Sequence, residues 1–538
     1  MIVALKDHFD RVIFQYSGCL LLFICMSGSF ALPTPVYSQD WRANPDSALQ
    51  VKLAQIGGEK IRLERAVSLA LENASAVREA RARLRAAQGA VRREKGGFDP
   101  ELFLSLERSG NDTPTASLFS GASILETRET AGRAGVRINL PIGTEIEASL
   151  NSTRLETNSR YASLSPQYTA FGNLTFRQPL TSGFRASGRK FLSSAERALD
   201  AARTRFEQQV LGTTAAATRS YWDLYAAERN YAVQQVIRDR AEALLEETQV
   251  RARTGLVGPG QVANARVFLA EQELALLDRE EELDRLSDTF ASLIGKRPED
   301  EKTRYVVVDE PPHDFPLESV ETLVTQSREN SLSLQALRRE IESLQVLARA
   351  ARWEALPDLD LFGAIGGNGL SGEAQEVESL DGTVYRTDQV GDLGEALSQV
   401  GSRDYPSWRV GVELSLPIGG RSGGGERDRL RAQVMEAEAR YLSAARLLEE
   451  QVRAAHRELY NGRRRLALAR NGVEAAQEQV RIGQIEYRNG RSTAFELVRL
   501  GADFAVAQQR YSRAVVLNAR AAATLTELTS GGYPAVSK

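Results

Sequence analysis

Cysteine is almost absent from this chain of 538 residues, and its two cysteines, Cys19 and Cys25, both lie near the N-terminus. Neither follows a good lipidation motif. The stretch around them resembles a secretory signal peptide, because basic residues precede an apolar run and Val36-Tyr37-Ser38 offers a cleavage site near Ser38. We therefore expect residues 1–38 to be removed and the mature protein to lack cysteine. Such a composition fits an oxidising exported compartment and excludes thiol catalysis.

Long hydrophobic runs are missing after residue 38, so no segment there is apolar enough to cross a bilayer as a helix. We expect the exported chain to be soluble or to cross a membrane as a β-barrel. A formal net charge of −3 gives no electrostatic case for nucleic acid. The three histidines, His8, His313 and His456, have no carboxylates at metal-ligand spacing. We therefore expect no cofactor, no metal site, no nucleic-acid partner and no enzymatic activity.

Proline is absent from Arg185 to Gly258, a stretch in which apolar or small residues recur at steps of three and four. This spacing is typical of a coiled-coil seam. The segment Thr254-Gly255-Leu256-Val257-Gly258-Pro259-Gly260 interrupts it, and the spacing then resumes to Ile294. Because glycines and a proline end a helix, the pattern predicts a very long antiparallel helical hairpin over residues 185–294.

The same hairpin occurs twice. A shift of about 235 residues places Arg251-Ala252-Arg253-Thr254-Gly255 on Glu486-Tyr487-Arg488-Asn489-Gly490, and a second match joins Asn73 to Asn330 and Pro100 to Pro357. We predict an extended segment at 39–60, a first repeat at 61–295, a linker at 296–316, a second repeat at 317–528 and a tail at 529–538. The first repeat would hold a helix (61–95), strands within 98–180 and a hairpin (185–294); the second would hold a helix (317–352), strands (357–364 and 407–417) and a hairpin (426–528).

The predicted strands alternate strictly between apolar and polar residues, as in Leu102, Leu104 and Leu106 against Phe103, Ser105 and Glu107. Such strands suit a sheet between lipid and a wet lumen, and the alternative is a soluble sheet packed on one side. One chain supplies four strands, or six if the 135–154 hairpin joins the wall. A membrane barrel needs about eight, so subunits must combine, and three would give about 12 or about 18 strands.

A glycine run from Gly419 to Gly425 lies between the last predicted strand and the second long hairpin. A phosphate-binding loop occupies such a position, but the run lacks the Gly-Lys-Ser/Thr ending of that motif. We expect these glycines to let the chain turn from the strand into the helix.

The tandem duplication, the strand exits Gln178-Pro179-Leu180 and Leu416-Pro417-Ile418-Gly419, and the glycine-marked hairpin tips together resemble the TolC-type outer-membrane efflux channels over about Ile61 to Leu528. The resemblance implies a mixed α/β membrane protein. Its homotrimer would form a transmembrane β-barrel continuous with a long periplasmic α-helical barrel, built from two tandem repeats per chain.

The resemblance also implies a location in the outer membrane of a Gram-negative envelope, projecting into the periplasm. Implied partners are a periplasmic adaptor (membrane fusion) protein and an inner-membrane pump of RND, ABC or MFS type. The implied function is a passive exit duct for tripartite efflux or type I secretion. The alternatives are a soluble periplasmic coiled-coil scaffold or adaptor, which the alternating strands disfavour, and an exported enzyme, for which no polar catalytic cluster is evident.

Residue by residue, the resemblance assigns adaptor docking to the hairpin tips: Thr254, Gly255, Leu256, Asn489, Gly490, Arg491 and Ser492. It assigns the periplasmic aperture to Tyr487, Glu496, Arg499 and Gln261. Gln261 and Glu496 occupy paired positions where the family often has acids, and only Glu496 keeps one. Arg499 lies one helical turn beyond Glu496, so that the two charges can neutralise each other. Our hypothesis is that Glu496 and Tyr487 line the resting constriction.

Overall fold

The computed structural model of the protein describes residues 45–117, 120–299, 304–316, 318–378, 382–489 and 491–533. The predicted signal peptide, its cleavage site and the last five residues of the predicted tail lie outside this part. Helix α1, Pro45–Gln55, corrects the extended segment predicted for 39–60. The segment is helical because Leu49 packs into a buried cluster with Val233 and Ile237, and Lys52 forms an ion pair with Asp239 at 2.7 Å.

Four long helices form two hairpins, α4 (Lys190–Arg253) with α5 (Pro259–Ile294), and α9 (Arg421–Arg488) with α10 (Ala494–Leu528). The longer member of each hairpin has 64 or 68 residues, which is about 100 Å of helix. The second hairpin begins five residues before the predicted start at 426, because Gly423, Gly424 and Gly425 are helical. A side chain at Gly423 would come within 2.8 Å of the Ala355 backbone, so glycine permits close packing there. Of the glycines between positions 419 and 425, Gly419 and Gly420 take the positive φ of a turn.

Each repeat has two short helices where a single one was predicted. The helix predicted at 61–95 is α2 (Leu63–Asn73) and α3 (Ser75–Gly96), and the one at 317–352 is α6 (Val320–Asn330) and α7 (Leu332–Glu354). The breaks fall at Ala74 and Ser331, whose ψ angles are 129° and 114°. Ser331 then caps α7 by accepting a hydrogen bond from Leu334 N–H. The helical periodicity runs through both breaks, which is why one helix was expected.

Six antiparallel strands form one sheet in the order β10-β7-β5-β4-β3-β2. Their ranges are β2 Glu101–Pro114, β3 Ile124–Asn139, β4 Glu145–Thr157, β5 Leu164–Pro179, β7 Asp358–Ala374 and β10 Tyr405–Ser415. The 135–154 hairpin is therefore part of the sheet, which has six strands rather than four. Strand β7 runs to Ala374, well past the predicted end at 364. The glycine-rich stretch after residue 364 stays paired with β5.

The sheet has one apolar and one charged face. Leu102 pairs through successive strands with Val136, Ala148, Leu174, Ile365 and Trp408, all on one face. The other face carries ion pairs that link different strands. Arg137 contacts Glu147 at 2.8 Å, and Arg177 contacts Asp360 at 2.6 Å and Glu413 at 2.8 Å. This alternation is the one predicted from the sequence.

A short helix, α8 (Leu393–Ser402), covers part of the apolar face over β5 and β7. Glycines make this contact close, since a side chain at Gly369 would overlap the carbonyl of Ala396. Gln399 Oε1 also accepts a hydrogen bond from Leu370 N–H at 2.8 Å. Leu370 belongs to the part of β7 that extends past the first residue of β10 and has no partner on that strand. Two two-residue strands, β8 (Val377–Glu378) and β9 (Val384–Tyr385), precede this helix.

The main core lies where the short helices meet both hairpins. Strand β1 (Glu59–Ile61) pairs in parallel with β6 (Tyr305–Val307), which lies within the predicted linker 296–316. The fully buried residues around this ladder come from both repeats: Tyr221, Leu224, Phe290, Tyr305, Leu323, Leu334, Leu459 and Leu525. The two repeats therefore share one core, and the hairpins project from it.

Candidate functional site

The first hairpin turns at a glycine cap. Helix α4 ends at Arg253, Thr254 is its C-cap, and Gly255 takes the left-handed conformation with φ +74°. The N–H of Leu256 then donates to the carbonyl of Arg251 at 2.9 Å. This bond completes a Schellman motif, in which glycine lets the chain leave the helix without a steric penalty. The Leu256 side chain follows with 75% of its surface exposed, an apolar group at the extreme of the hairpin.

The second hairpin closes with the equivalent bond. The N–H of Arg491 donates to the carbonyl of Glu486 at 2.9 Å, and these residues match Leu256 and Arg251 at the repeat shift of 235. Asn489 is the C-cap of α9, and Ser492 lies half-buried in the turn. Gly490, which matches Gly255, lies outside the described residues. Both tips therefore use one backbone solution, as expected for a duplicated unit.

The paired positions Gln261 and Glu496 lie in the first turns of α5 and α10. Gln261 is exposed. Glu496 N–H donates to the Thr493 hydroxyl at 3.2 Å, which caps α10, and its carboxylate pairs with Arg499 at 2.7 Å. Both charged side chains are substantially exposed, so the pair contributes little to stability. Its effect is electrostatic, because the arginine offsets the carboxylate at this position.

Tyr487 connects the two hairpins near their tips. Its hydroxyl donates to Glu247 Oε1 at 2.7 Å and accepts from the Arg251 guanidinium at 3.3 Å. Arg251 and Glu247 also form an ion pair at 2.7 Å, one turn apart on α4. Burial and the Glu247 carboxylate raise the pKa of Tyr487, so its hydroxyl stays protonated and donates at neutral pH. We call these three residues the tip cluster.

An apolar contact supports the tip cluster. Leu244, Ala265 and Val498 are buried together, with Tyr487 and Phe268 packed against them. This small core takes side chains from α4, α5, α9 and α10, so it holds all four long helices together close to the turns. Its burial stabilises the packing of the two hairpins against each other within one chain.

The sequence singled out Tyr487 for the aperture, which stays a prediction, and gave no indication of its partners Glu247 and Arg251. Glu247 and Arg251 are spaced i, i+4 in the last two turns of α4, which is the spacing of a helical ion pair. That spacing occurs on many exposed helix faces. Only the packing of α9 against α4 identifies this pair as the one that contacts Tyr487.

Two other kinds of site can be considered for the described part of the chain, a membrane-spanning helix and a metal site. There, no helix combines the length and apolarity needed to span a membrane. Within the same residues, histidine and acidic side chains form no group of three or more suited to a metal ion.

A sequence model of the outer membrane efflux protein family matches residues 66–296 and 323–531. The chain belongs to this family. The two matched segments correspond to the two repeats, and together they cover most of the chain. The predicted family and the predicted location in the outer membrane are confirmed. A comparison with curated protein sequences gives no match.

Solved outer-membrane proteins have the same fold. The outer-membrane channel OprN is 18% identical with a TM-score of 0.61, and the match covers 91% of this chain and 94% of that one. The CmeC outer membrane channel of Campylobacter jejuni is 15% identical with a TM-score of 0.63, covering 88% of this chain and 87% of that one. VceC of Vibrio cholerae is 17% identical with a TM-score of 0.58, covering 87% and 96%. The predicted fold class is confirmed.

Proposed function

We propose that this outer membrane efflux protein is the passive exit duct of a tripartite efflux or type I secretion system, working as a homotrimer. The observation that carries the proposal is the six-stranded sheet with one apolar and one charged face, joined directly to two helical hairpins about 100 Å long. An apolar face suits lipid, and a charged face suits a water-filled lumen.

The open edges of the sheet require further copies of the chain, and the resemblance to TolC-type channels sets their number at three. Six strands are too few to close a membrane barrel, and an open edge in lipid leaves backbone groups unpaired at a cost of several kcal/mol each. Copies of the chain supply the missing wall, and closed cyclic symmetry satisfies every edge. The long helices, continuous with the sheet, would then form a second barrel that reaches into the periplasm.

The hairpin tips are the docking end of this assembly. Thr254, Gly255, Leu256, Asn489, Gly490, Arg491 and Ser492 would contact a periplasmic adaptor protein, which would join the duct to an inner-membrane pump of RND, ABC or MFS type. The exposed Leu256 supports this role, because an apolar side chain at a tip gains from being covered by a partner. Tyr487, Glu496, Arg499 and Gln261 would surround the aperture, which the tip cluster holds closed.

Reconstitution in planar bilayers tests the proposal. A trimer in detergent and a low resting conductance are expected. Tyr487→Phe removes the hydroxyl that links Glu247 and Arg251 to α9, so the resting conductance should rise severalfold. Tyr460→Phe, at an exposed tyrosine of the same helix, is the matched control and should behave as the parent protein. A monomer that forms no channels would contradict the function, and an unchanged Tyr487→Phe conductance would contradict the closing role of the tip cluster.

A further inference from the structure

The two edge strands, β2 and β10, present backbone groups that have no strand partner within the described residues. Their apolar side chains are also the most exposed of the sheet. Leu104 on β2 is 80% exposed and Trp408 on β10 is 78% exposed, whereas Val136 and Leu174 on inner strands are 43% and 45% exposed. A strand lying alongside each edge would cover these groups and pair the backbone.

The sheet is also staggered. Leu102 and Trp408 lie in the same row across the six strands, but Leu102 is one residue from the strand end at Glu101, and Trp408 is seven residues from the strand end at Ser415. Seven minus one gives a stagger of six residues across the sheet. At about 3.3 Å per residue and about 4.8 Å between strands, this corresponds to a strand tilt of about 40°, which is typical of membrane barrels.

We propose that β10 of one subunit pairs antiparallel with β2 of the next, with Ser415 opposite Glu101, so that three subunits close an 18-stranded barrel. This inference rests on the proposed trimeric channel. The register follows from the helices. The start of β2 follows helix α3, and the end of β10 precedes helix α9, so both ends lie at the helical side of the sheet. If the strand ends of neighbouring subunits lie at the same height at this side, Glu101 and Ser415 come together.

The proposed register makes both faces continuous across the subunit boundary. It places Leu414 opposite Leu102, Val412 opposite Leu104 and Val410 opposite Leu106, so the apolar rows meet. A shift by one residue would instead bring apolar residues against the charged face.

The charged face gives a second match. In the same register Arg409 lies opposite Glu107, an opposite-charge pair across the boundary. A shift by two residues would keep the faces but place Arg409 opposite Ser105 or Ser109 and lose this pair.

The register is tested by cross-linking in native membranes. Leu104→Cys with Val412→Cys should oxidise to a covalent trimer, because the paired Cα atoms are within disulfide range. Leu104→Cys with Val410→Cys is the control, offset by two residues, and should give at least tenfold less. Equal or greater cross-linking in the control would overturn the register.

The number of strands in the trimeric barrel is tested by a distance measurement. A spin label at Leu174→Cys reports the distance between equivalent positions of the three subunits. Because barrel diameter grows roughly linearly with strand number, the distance should be about one and a half times that of a 12-stranded wall lacking the β3–β4 hairpin. The 12-stranded distance would overturn the 18-stranded barrel.

Native mass measured beforehand separates the two proposals. A monomer would contradict the channel itself. A trimer that lacks the Leu104–Val412 cross-link, or that shows the shorter label distance, would contradict only the inference drawn here.

Discussion

Two positions that lie 235 residues apart, Tyr221 in α4 and His456 in α9, make the same contact with different chemistry. The Tyr221 hydroxyl lies 3.1 Å from the carbonyl of Ile61, two residues before α2 begins. His456 Nε2 lies 3.1 Å from the carbonyl of Glu318, two residues before α6 begins. The duplication therefore preserved where the long helix meets the chain, and not the group that makes the contact.

The different solvent exposure of the two positions explains why a tyrosine makes the contact in one repeat and a histidine in the other. Tyr221 is fully buried under the β1–β6 ladder, where its hydroxyl also accepts from the N–H groups of Val308 and Asp309 at 3.1 Å. His456 is half-buried, so part of its ring stays hydrated. In a buried site one side chain has to form hydrogen bonds with several backbone groups. In a half-exposed site water can form some of these hydrogen bonds.

Two turns further along α4 and α9, the repeats also differ in the charge and burial of matching residues, Glu228 and Arg463. Glu228 is buried and accepts a hydrogen bond from Val307 N–H at 2.8 Å, and burial raises its pKa to about 8. Its counterpart Arg463 is exposed and pairs with Asp314 at 2.7 Å, and this contact holds the pKa of Asp314 below its usual value. One helical position thus carries a buried acid in the first repeat and an exposed base in the second.

The largest expected effect comes from Glu228→Gln. Between its ordinary pKa of 4.5 and about 8, folded Glu228 keeps a proton that the unfolded chain releases, so the free energy of unfolding falls as pH rises through this window. The amide removes this penalty. The gain in stability should be on the order of 3 kcal/mol larger at pH 8 than at pH 5.

Thermal unfolding of the detergent-solubilised protein at the two pH values measures this effect. Arg463→Gln is the matched control in the second repeat and should show little change at either pH. An equal gain from Glu228→Gln at both pH values would rule out titration of the buried acid.

Tyr221→Phe should come next. It leaves the Asp309 N–H without its acceptor beside the buried ring, whereas the Val308 N–H keeps the Ile61 carbonyl at 3.2 Å, and the expected cost is about 2 kcal/mol. His456→Phe, at the half-exposed counterpart, should cost less than about 1 kcal/mol because water replaces the lost contact. Denaturant unfolding of both variants gives the comparison, and equal losses would refute the account based on solvent.

The hairpins also differ at a packed pair. Ala227 and Leu283 belong to the main core in the first repeat, and Gly462 and Asn518 match them in the second. Asn518 is buried, and neither polar atom of its side chain has a hydrogen-bond partner among the residues that the structure describes. Asn518→Leu should therefore stabilise the protein by about 1 kcal/mol.

Gly462→Ala should have the opposite sign, because a side-chain carbon there would overlap Asn518 Oδ1. We expect a loss of about 1–2 kcal/mol. Chemical unfolding of both single variants and the double variant tests the pair, and additive effects would show that the two positions are not in contact.

The smallest effect on stability should come from Glu496→Gln, which gives the second tip the residue found at Gln261. The Glu496–Arg499 pair is exposed, so the change should be under about 0.5 kcal/mol. If Glu496 lines the aperture, however, the variant should conduct cations less selectively than the parent. Single-channel recordings decide the point, and unchanged conductance and selectivity would remove Glu496 from the aperture.

The sequence predicted the hairpins, the duplication and the two-faced strands because each follows from a long periodic pattern. It did not predict the helix breaks at Ala74 and Ser331, where backbone angles change within one residue and the periodicity continues. It also left the strand number open, because β3 and β4 join the sheet through pairing that composition does not record. The partners of Tyr487 were missed for a related reason, since Glu247 and Arg251 are distant in sequence and meet it only through helix packing.

The β3–β4 hairpin has a geometric consequence for the whole duct. A hairpin adds two antiparallel strands, so the chain returns to the same end of the sheet. The connections between the sheet and the helices therefore stay at that end. In the proposed duct, the diameter of the outer wall could therefore change by whole hairpins while the helical part keeps its structure. If the proposed function holds, the width at the cell surface and the fit to periplasmic partners could evolve independently.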